Sequence, residues 1–130
     1  MKCFYDTNVL IYAFSDDSKT KIARQLISGK FSISAQVINE FVHVARRKYK
    51  KDWNNIDEAV SQILDCSSEC VPLTVDLNKE ARRISSVNMI PFYDALIIAA
   101  ALEAKCDVLV SEDFQCGQRF GTLTIQNPFV

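Results

Sequence analysis

The chain has 130 residues, of which 48% are hydrophobic and 24% are charged. This size and composition predict one globular domain spanning residues 1–130, and they argue against a disordered chain or two domains too small to bury a core. The formal net charge of −1 argues against binding nucleic acid through bulk positive charge, but it leaves room for a nuclease whose metal-binding carboxylates lower the total.

The first third of the chain is predicted to alternate short strands with helices. Lys2–Asp6 predicts a buried strand that ends in Asp-Thr-Asn, a sequence typical of a turn or helix cap. Val9–Phe14 continues as an apolar helical turn. Lys19–Ile27 predicts a second helix, which Gly29 is well placed to end, and Phe31–Ser34 alternates as a short strand does.

The remaining two thirds follow the same alternation, with helices whose apolar residues recur at helical spacing. The predicted elements are helices over Ala35–Lys50, Trp53–Leu64 and Asp76–Val87, an apolar stretch at Val71–Val75, a helix over Phe92–Lys105, and strands over Asp107–Ser111 and Thr122–Ile125. Short apolar strands between helices predict a parallel sheet with helices on both faces. The expected fold is therefore an α/β/α sandwich with a short central parallel sheet.

Two acidic residues follow predicted strands, at the edge where sites form in such folds. Asp6 closes the first strand, and Asp113 follows the strand Asp107–Ser111. Each residue taken alone is explained as well by a helix cap or a turn.

Two further acidic residues occupy apolar helix faces. Glu40 follows Val37 by three residues and precedes Phe41, so it points toward the apolar side of its helix. Asp94 lies in the first turn of the most apolar helix, where the helix dipole alone would favour a carboxylate. Taken singly, each has a structural explanation, which for Glu40 is a partner such as Arg46 or Arg47.

Together, the four acids indicate a shared cation. Buried carboxylates are costly unless something pairs with them, and no basic residue stands beside them in sequence. A ligand set made only of oxygen atoms favours Mg²⁺ or Mn²⁺ over zinc.

Four segments around these acids resemble, in order, the four motifs of PIN domains. They are Phe-Tyr-Asp-Thr-Asn-Val-Leu at Asp6, Ile-Asn-Glu-Phe at Glu40, Tyr-Asp-Ala-Leu-Ile-Ile-Ala-Ala-Ala at Asp94, and Leu-Val-Ser-Glu-Asp-Phe at Asp113. The ending Gly117-Gln-Arg-Phe-Gly…Asn127-Pro-Phe is similar to that of many VapC-type members, the toxins of VapBC toxin–antitoxin pairs. The second motif is short and less specific than the others.

The resemblance implies an endoribonuclease that cleaves single-stranded regions of RNA. It implies that Asp6, Glu40, Asp94 and Asp113 bind one or two Mg²⁺ or Mn²⁺ ions, and that Thr7, Asn8 and Ser111 orient ligands or water. It also implies a homodimer inhibited by a small antitoxin protein. The regions Phe14–Ile27 and Trp53–Leu64 are candidates for those contacts, although apolar helix faces are usually core.

The one concentrated basic run extends from Arg46 to Lys51 and begins with Arg46, Arg47 and Lys48. Tyr49, within the run, is available to stack on a base. We predict that the first three residues bind RNA. A helix C-terminus favours cations through its dipole in any case, so the run has an equally good structural explanation.

Three other functions stay open. A phosphotransferase could use Asp6 as a covalent nucleophile, but enzymes similar to haloacid dehalogenases carry a second acid two residues later, where this chain has Asn8. A non-catalytic metal- or RNA-binding module would not need all four acids. A PIN nuclease of RNA processing would keep the chemistry without an antitoxin.

The cysteines and the absence of a targeting pattern predict a cytoplasmic protein that does not enter a membrane. The five cysteines are an odd number, no secretion signal is visible, and no segment approaches the roughly 18 apolar residues of a membrane span. Cys66 and Cys70 could place two thiolates on one helical face. However, His43 is the only histidine and no second cysteine pair is present, which argues against structural zinc.

Overall fold

A computed structural model describes all residues, 1–130. Its strands are β1 (Cys3–Tyr5), β2 (Ser32–Ser34), β3 (Glu69–Val71), β4 (Val108–Val110), β5 (Arg119–Phe120) and β6 (Leu123–Gln126). They form one six-stranded sheet in the order β3-β2-β1-β4-β6-β5. All neighbours are parallel except β5 and β6, which are antiparallel. The predicted parallel α/β sheet is confirmed, and the β5–β6 hairpin is an addition that was not predicted.

Six helices flank this sheet. They are α1 (Thr7–Ala13), α2 (Thr20–Ile27), α3 (Ala35–Arg47), α4 (Trp53–Cys66), α5 (Val75–Asn88) and α6 (Phe92–Glu103). Four of them begin where a side-chain oxygen accepts a hydrogen bond from a backbone N–H of the first turn, at Asp6, Ser34, Asp52 and Thr74. Such caps satisfy N–H groups that have no partner within the helix, which is why helix starts were predictable from the sequence.

The strand order reverses at β1. The chain runs from β1 through β2 to β3 on one side, and then returns so that β4 pairs with the other edge of β1. Because such crossovers are right-handed, the reversal places the α5–α6 pair on the face opposite α1–α4. The carboxyl ends of β1 and β4 therefore flank a crevice of the kind in which α/β proteins bind ligands.

The core lies on both faces of this sheet. Phe4, Ile33 and Leu109 on the central strands are completely buried. Helix α6 is the apolar layer on one face, since each residue from Ala95 to Ala101 is buried. Its Phe92–Glu103 span agrees with the predicted helix over Phe92–Lys105 to within its last turn.

The pair Cys66 and Cys70 does not share a helix. Cys66 is the last residue of α4, whereas Cys70 lies in β3, and both thiols are free and exposed. No single helix is long and apolar enough to cross a membrane. Only α5 and α6 taken together reach that length and composition, and they are bent by 117° at their junction.

Candidate active site

Asp6 is the most buried acid of the predicted set. It follows β1 directly, its side chain is 4% exposed, and its backbone N–H donates to the Val110 carbonyl of β4 at 3.0 Å. One carboxylate oxygen, Oδ1, accepts from the Thr7 N–H at 2.7 Å and caps α1. The other, Oδ2, accepts from the Ser111 hydroxyl at 2.7 Å. The cap predicted from the sequence is therefore present, but it uses only half of the carboxylate.

Ser111 joins Asp6 to Asp113. Its buried hydroxyl oxygen accepts from the Asp113 N–H at 3.0 Å. The side-chain amide of Asn8 donates both to Asp113 Oδ2, at 3.1 Å, and to Ser111 Oγ, at 3.3 Å. The Asn8 carbonyl oxygen, Oδ1, is buried and has no hydrogen-bond partner. These hydrogen bonds connect the ends of β1 and β4 through four residues predicted from the sequence: Asp6, Asn8, Ser111 and Asp113.

Glu40 lies half-buried on the second turn of α3 and faces the same end of the sheet. Its two oxygens accept from Thr7 Oγ1 at 3.1 Å and from Gln36 Nε2 at 3.0 Å. It forms no ion pair with Arg46 or Arg47, the partners that a structural explanation would require. Gln36 was missed in the sequence analysis, although its spacing four residues before Glu40 was a signal for this contact.

Asp94 lies in the first turn of α6 and is half-buried. Burial raises the pKa of its carboxyl, and the negative charge of Asp113 raises that pKa further. The interaction indicates that α6 brings Asp94 to the same region as the loop after β4. All four predicted acids therefore belong to the carboxyl-end edge of the sheet.

The acidic side chains at this edge of the sheet form no ion pair with a basic residue. Burial raises the pKa of Asp6 to about 7; hydrogen bonds from Ser111 and Thr7 oppose the rise, and the charges of Asp113 and Glu40 add to it. The three ion pairs of the chain lie elsewhere, at Lys2–Glu69, Lys19–Glu112 and Glu80–Arg83. A bound cation would remove this repulsion.

The donor set fits a hard divalent cation. It consists of carboxylate oxygens, with the unpartnered carbonyl oxygen of Asn8 beside them, and Mg²⁺ and Mn²⁺ prefer such ligands. No three acidic side chains lie close enough together, as positioned, to enclose one ion. Mg²⁺ usually keeps several waters and takes only one or two protein carboxylates directly.

A second cluster holds the residue just before Asp113. Glu112 accepts from Lys19 Nζ at 2.7 Å and from the hydroxyl of Tyr12, and the Phe129 ring packs edge-on against Tyr12 at 5.2 Å between centroids. The cluster ties the loop after β4 to α1 and to the chain end. Sequence reasoning missed it because Tyr12 and Glu112 are 100 positions apart.

The predicted RNA-binding cations are not brought into contact with the acids. Arg46 and Arg47 end α3, Lys48 follows, and all three are exposed. Arg47 comes seven residues after Glu40, which is close to two helical turns, so the two share a helix face about 10 Å apart along the axis.

One comparison with known proteins identifies a family. The sequence profile of the PIN domain matches residues 3–117. No curated protein sequence matches the chain.

Solved structures share the fold at low sequence identity. A toxin–antitoxin complex from Klebsiella pneumoniae is similar with a TM-score of 0.72 and 20% identity over 98% of each chain. VapC20 of Mycobacterium tuberculosis, a toxin that cleaves the sarcin–ricin loop, has a TM-score of 0.70 and 17% identity over 83% of this chain and 87% of its own. VapBC2 from Rickettsia felis, bound to a promoter DNA fragment, has a TM-score of 0.70 and 18% identity over 98% of each chain.

Proposed function

The chain belongs to the PIN domain family, and from that premise we propose that it is a Mg²⁺- or Mn²⁺-dependent endoribonuclease that cleaves single-stranded regions of RNA. One observation supports this proposal most strongly. Asp6 is a buried carboxylate with no cation beside it, and its pKa is raised by burial and by Asp113 and Glu40. Such an arrangement costs stability, which is typical of a site built to receive a ligand.

Asp6, Glu40, Asp94 and Asp113 would hold one or two ions, in part through bound water, because no three of these side chains lie close enough together to enclose one ion directly. When bound, the ion supplies Lewis-acid activation of water and neutralises charge on the phosphodiester. Ser111 holds Asp6 Oδ2 by its hydroxyl, and Thr7 and Gln36 hold the two oxygens of Glu40. These hydrogen bonds fix the directions in which the acidic oxygens face, as the outer partners of metal ligands do.

Asn8 would fix the position of Asp113. Its side-chain N–H groups hold Asp113 and Ser111, while its carbonyl oxygen is buried without a hydrogen-bond partner and would accept from a water bound within the site. The chemistry uses no histidine, and the single histidine, His43, is exposed on α3.

We further propose that the protein is the toxin of a VapBC-type pair, acts in the cytoplasm as a homodimer and is inhibited by a small antitoxin. The support is the similarity of its fold to a toxin–antitoxin complex from Klebsiella pneumoniae and to VapBC2 from Rickettsia felis. Co-expression with the product of a neighbouring short gene, followed by purification through a tag on that product, tests this role. Failure of any neighbouring product to inhibit the nuclease would favour a PIN nuclease of RNA processing.

The nuclease itself is tested by incubating the purified chain with structured total RNA, with and without Mg²⁺ or Mn²⁺. Asp6→Asn runs beside it, and Asp65→Asn, which neutralises an exposed carboxylate on α4, is the matched control. We expect discrete fragments that need the metal, disappear in Asp6→Asn and persist in Asp65→Asn. Cleavage that survives Asp6→Asn or a chelator would contradict the proposal.

A further inference from the structure

We propose that Trp53, backed by Arg46, is a stacking platform for an unpaired base of RNA at the end of α3 remote from the acids. This inference rests on the proposed ribonuclease function and adds a substrate contact outside the acidic site. We call residues 46–53 the basic patch: it comprises the last two residues of α3, the α3–α4 loop and the first residue of α4.

Trp53 is exposed although it is a large aromatic residue. More than half of it, 55%, is accessible, and the guanidinium carbon of Arg46 lies 5.0 Å from its ring centroid. The guanidinium is itself fixed, because Arg46 Nη1 donates to the Lys51 carbonyl at 3.0 Å. Stacked aromatic and arginine planes of this kind are what proteins use to bind unpaired bases.

The backbone beneath the platform is ordered by its own hydrogen bonds. The N–H groups of Lys48 and Lys51 donate to the carbonyls of Val44 and Ala45 at 2.8 and 3.0 Å. Asp52 caps α4 by accepting from the Asn55 N–H at 2.8 Å. Little conformational freedom would be lost on binding, and a ligand that meets a preorganised surface binds more tightly for the same contacts.

The charge of the basic patch is concentrated and unpaired. Five of the 15 Lys and Arg residues of the chain fall within 46–51; all five are exposed and none takes part in an ion pair. The only acid among them, Asp52, is occupied by the helix cap. In a chain of net charge −1, such a concentration favours a polyanion at this surface.

The basic patch is continuous with the acidic site along α3. Glu40, His43 and Arg47 are spaced by three and four residues and so lie on one face of the helix, and His43 and Arg47 are exposed. A single strand that follows this face would reach from the acids to Trp53. The dipole of α3 explains Arg46 and Arg47, but it does not explain an exposed tryptophan in the next helix.

Trp53 is the only tryptophan of the chain, so its fluorescence reports the proposed contact directly. We would titrate the full chain in EDTA, which prevents cleavage, with a short oligouridylate and with an abasic strand of the same length. We expect saturable quenching by the oligouridylate, and binding without quenching by the abasic strand, which retains the phosphates only. Binding of oligouridylate with unchanged Trp53 emission would overturn the proposal. An absence of oligouridylate binding would also overturn it and would leave the basic patch to an acidic protein partner.

Variants separate stacking from charge. Because stacking on an aromatic side chain contributes roughly 1–3 kcal/mol per base, we expect Trp53→Ala to weaken oligouridylate binding by about 5- to 100-fold and to raise KM with little change in kcat. Trp53→Phe should restore most of the affinity. Lys79→Ala, an exposed cation on α5, is the control and should bind as the parent does.

Equal binding of oligouridylate by Trp53→Ala and by the parent chain would overturn the proposal that Trp53 is a stacking platform. That result would leave the nuclease proposal untouched if metal-dependent cleavage persists in the parent. Conversely, an absence of cleavage in the parent together with quenching by oligouridylate would contradict the nuclease function and retain an RNA-binding surface.

Discussion

The two charged regions along α3 differ in burial rather than in the number of charges. At the carboxyl ends of β1 and β4, Asp6 is 4% exposed and its pKa is raised to about 7. At the other end, the five cations of the basic patch are all exposed to solvent. Water screens the five cations and also Asp113, which is exposed, whereas Asp6 interacts with its neighbours through protein.

Because of this difference in burial, the two regions affect the stability of the folded chain differently. Asp6, the buried acid of the site, destabilises the folded chain until a cation binds, so its replacement should alter both stability and activity. The exposed cations contribute little to stability, so changes there should alter RNA binding alone.

The largest effects are expected at the acids, of which Asp94 is tested first. Asp94→Asn should lower metal-dependent RNA cleavage at least about 100-fold, because even an outer partner of a metal ligand accounts for roughly 10- to 100-fold. Initial rates at saturating Mg²⁺ measure the loss. Glu103→Gln, at the exposed far end of the same helix, should cleave at the parental rate. If Asp94→Asn also cleaved RNA at the parental rate, the assignment of the acids to the metal site would be wrong.

Asp6→Asn should stabilise the metal-free chain while abolishing its activity. Between the unfolded pKa of 3.8 and the folded pKa of about 7, the unfolded chain releases its proton first, so the folded chain loses stability as pH rises through this window. The full difference between these two pKa values corresponds to a loss of about 4 kcal/mol in the free energy of unfolding.

Urea unfolding in EDTA measures this effect. The gain in the free energy of unfolding of Asp6→Asn over the parent should be largest near about pH 8 and clearly smaller near about pH 5, where the parent Asp6 is mostly protonated when folded. Asp65→Asn should show no such trend. A gain that did not depend on pH would mean that Asp6 is not destabilised by its buried charge.

Ser111→Ala should have an intermediate effect. It removes the hydroxyl that donates to Asp6 and accepts from the Asp113 N–H, so cleavage should fall by about 10- to 100-fold. Ser111→Thr, which keeps a hydroxyl, should retain more activity than Ser111→Ala in the same rate assay. Full activity in Ser111→Ala would show that the acids are positioned without this link.

The smallest effect on the folded chain is expected from charge reversal in the basic patch. Arg47→Glu with Lys48→Glu should change the free energy of unfolding by no more than about 0.5 kcal/mol. It should also flatten the dependence of RNA binding on salt by about 0.7 in logarithmic slope for each phosphate that the patch no longer neutralises. Reversal of Lys79 and Arg82 on α5 is the control. An unchanged slope would remove the basic patch from the RNA-binding surface.

Most of the fold was predictable because its elements carry local signals. Caps at Ser34, Asp52 and Thr74 mark helix starts, and the apolar length of α6 marks the buried helix. Strand β5 was missed because it has only two residues, too few for an alternating pattern. Gly121, at a φ of 61°, turns it back into β6, and this glycine was its only sequence signal.

The candidate site was predictable as a set of residues rather than as a geometry. Their positions after predicted strands placed Asp6 and Asp113 at the carboxyl-end edge of the sheet, but the hydrogen bond between Thr7 and Glu40 joins segments 33 positions apart. The links from Asn8 to Asp113 and from Tyr12 to Glu112 span at least 100 positions. No local pattern encodes such contacts, because strand order decides which chain segments meet.

Binding of a divalent cation by the acids at the ends of β1 and β4 can be measured directly. We would follow binding of Mn²⁺ to the full chain by electron paramagnetic resonance of the free ion, with Asp6→Asn and Asp65→Asn beside it. We expect saturable binding by the parent and by Asp65→Asn, competition by Mg²⁺, and a large loss in Asp6→Asn. Binding that is absent in the parent, or unchanged in Asp6→Asn, would show that these acids do not form a metal site.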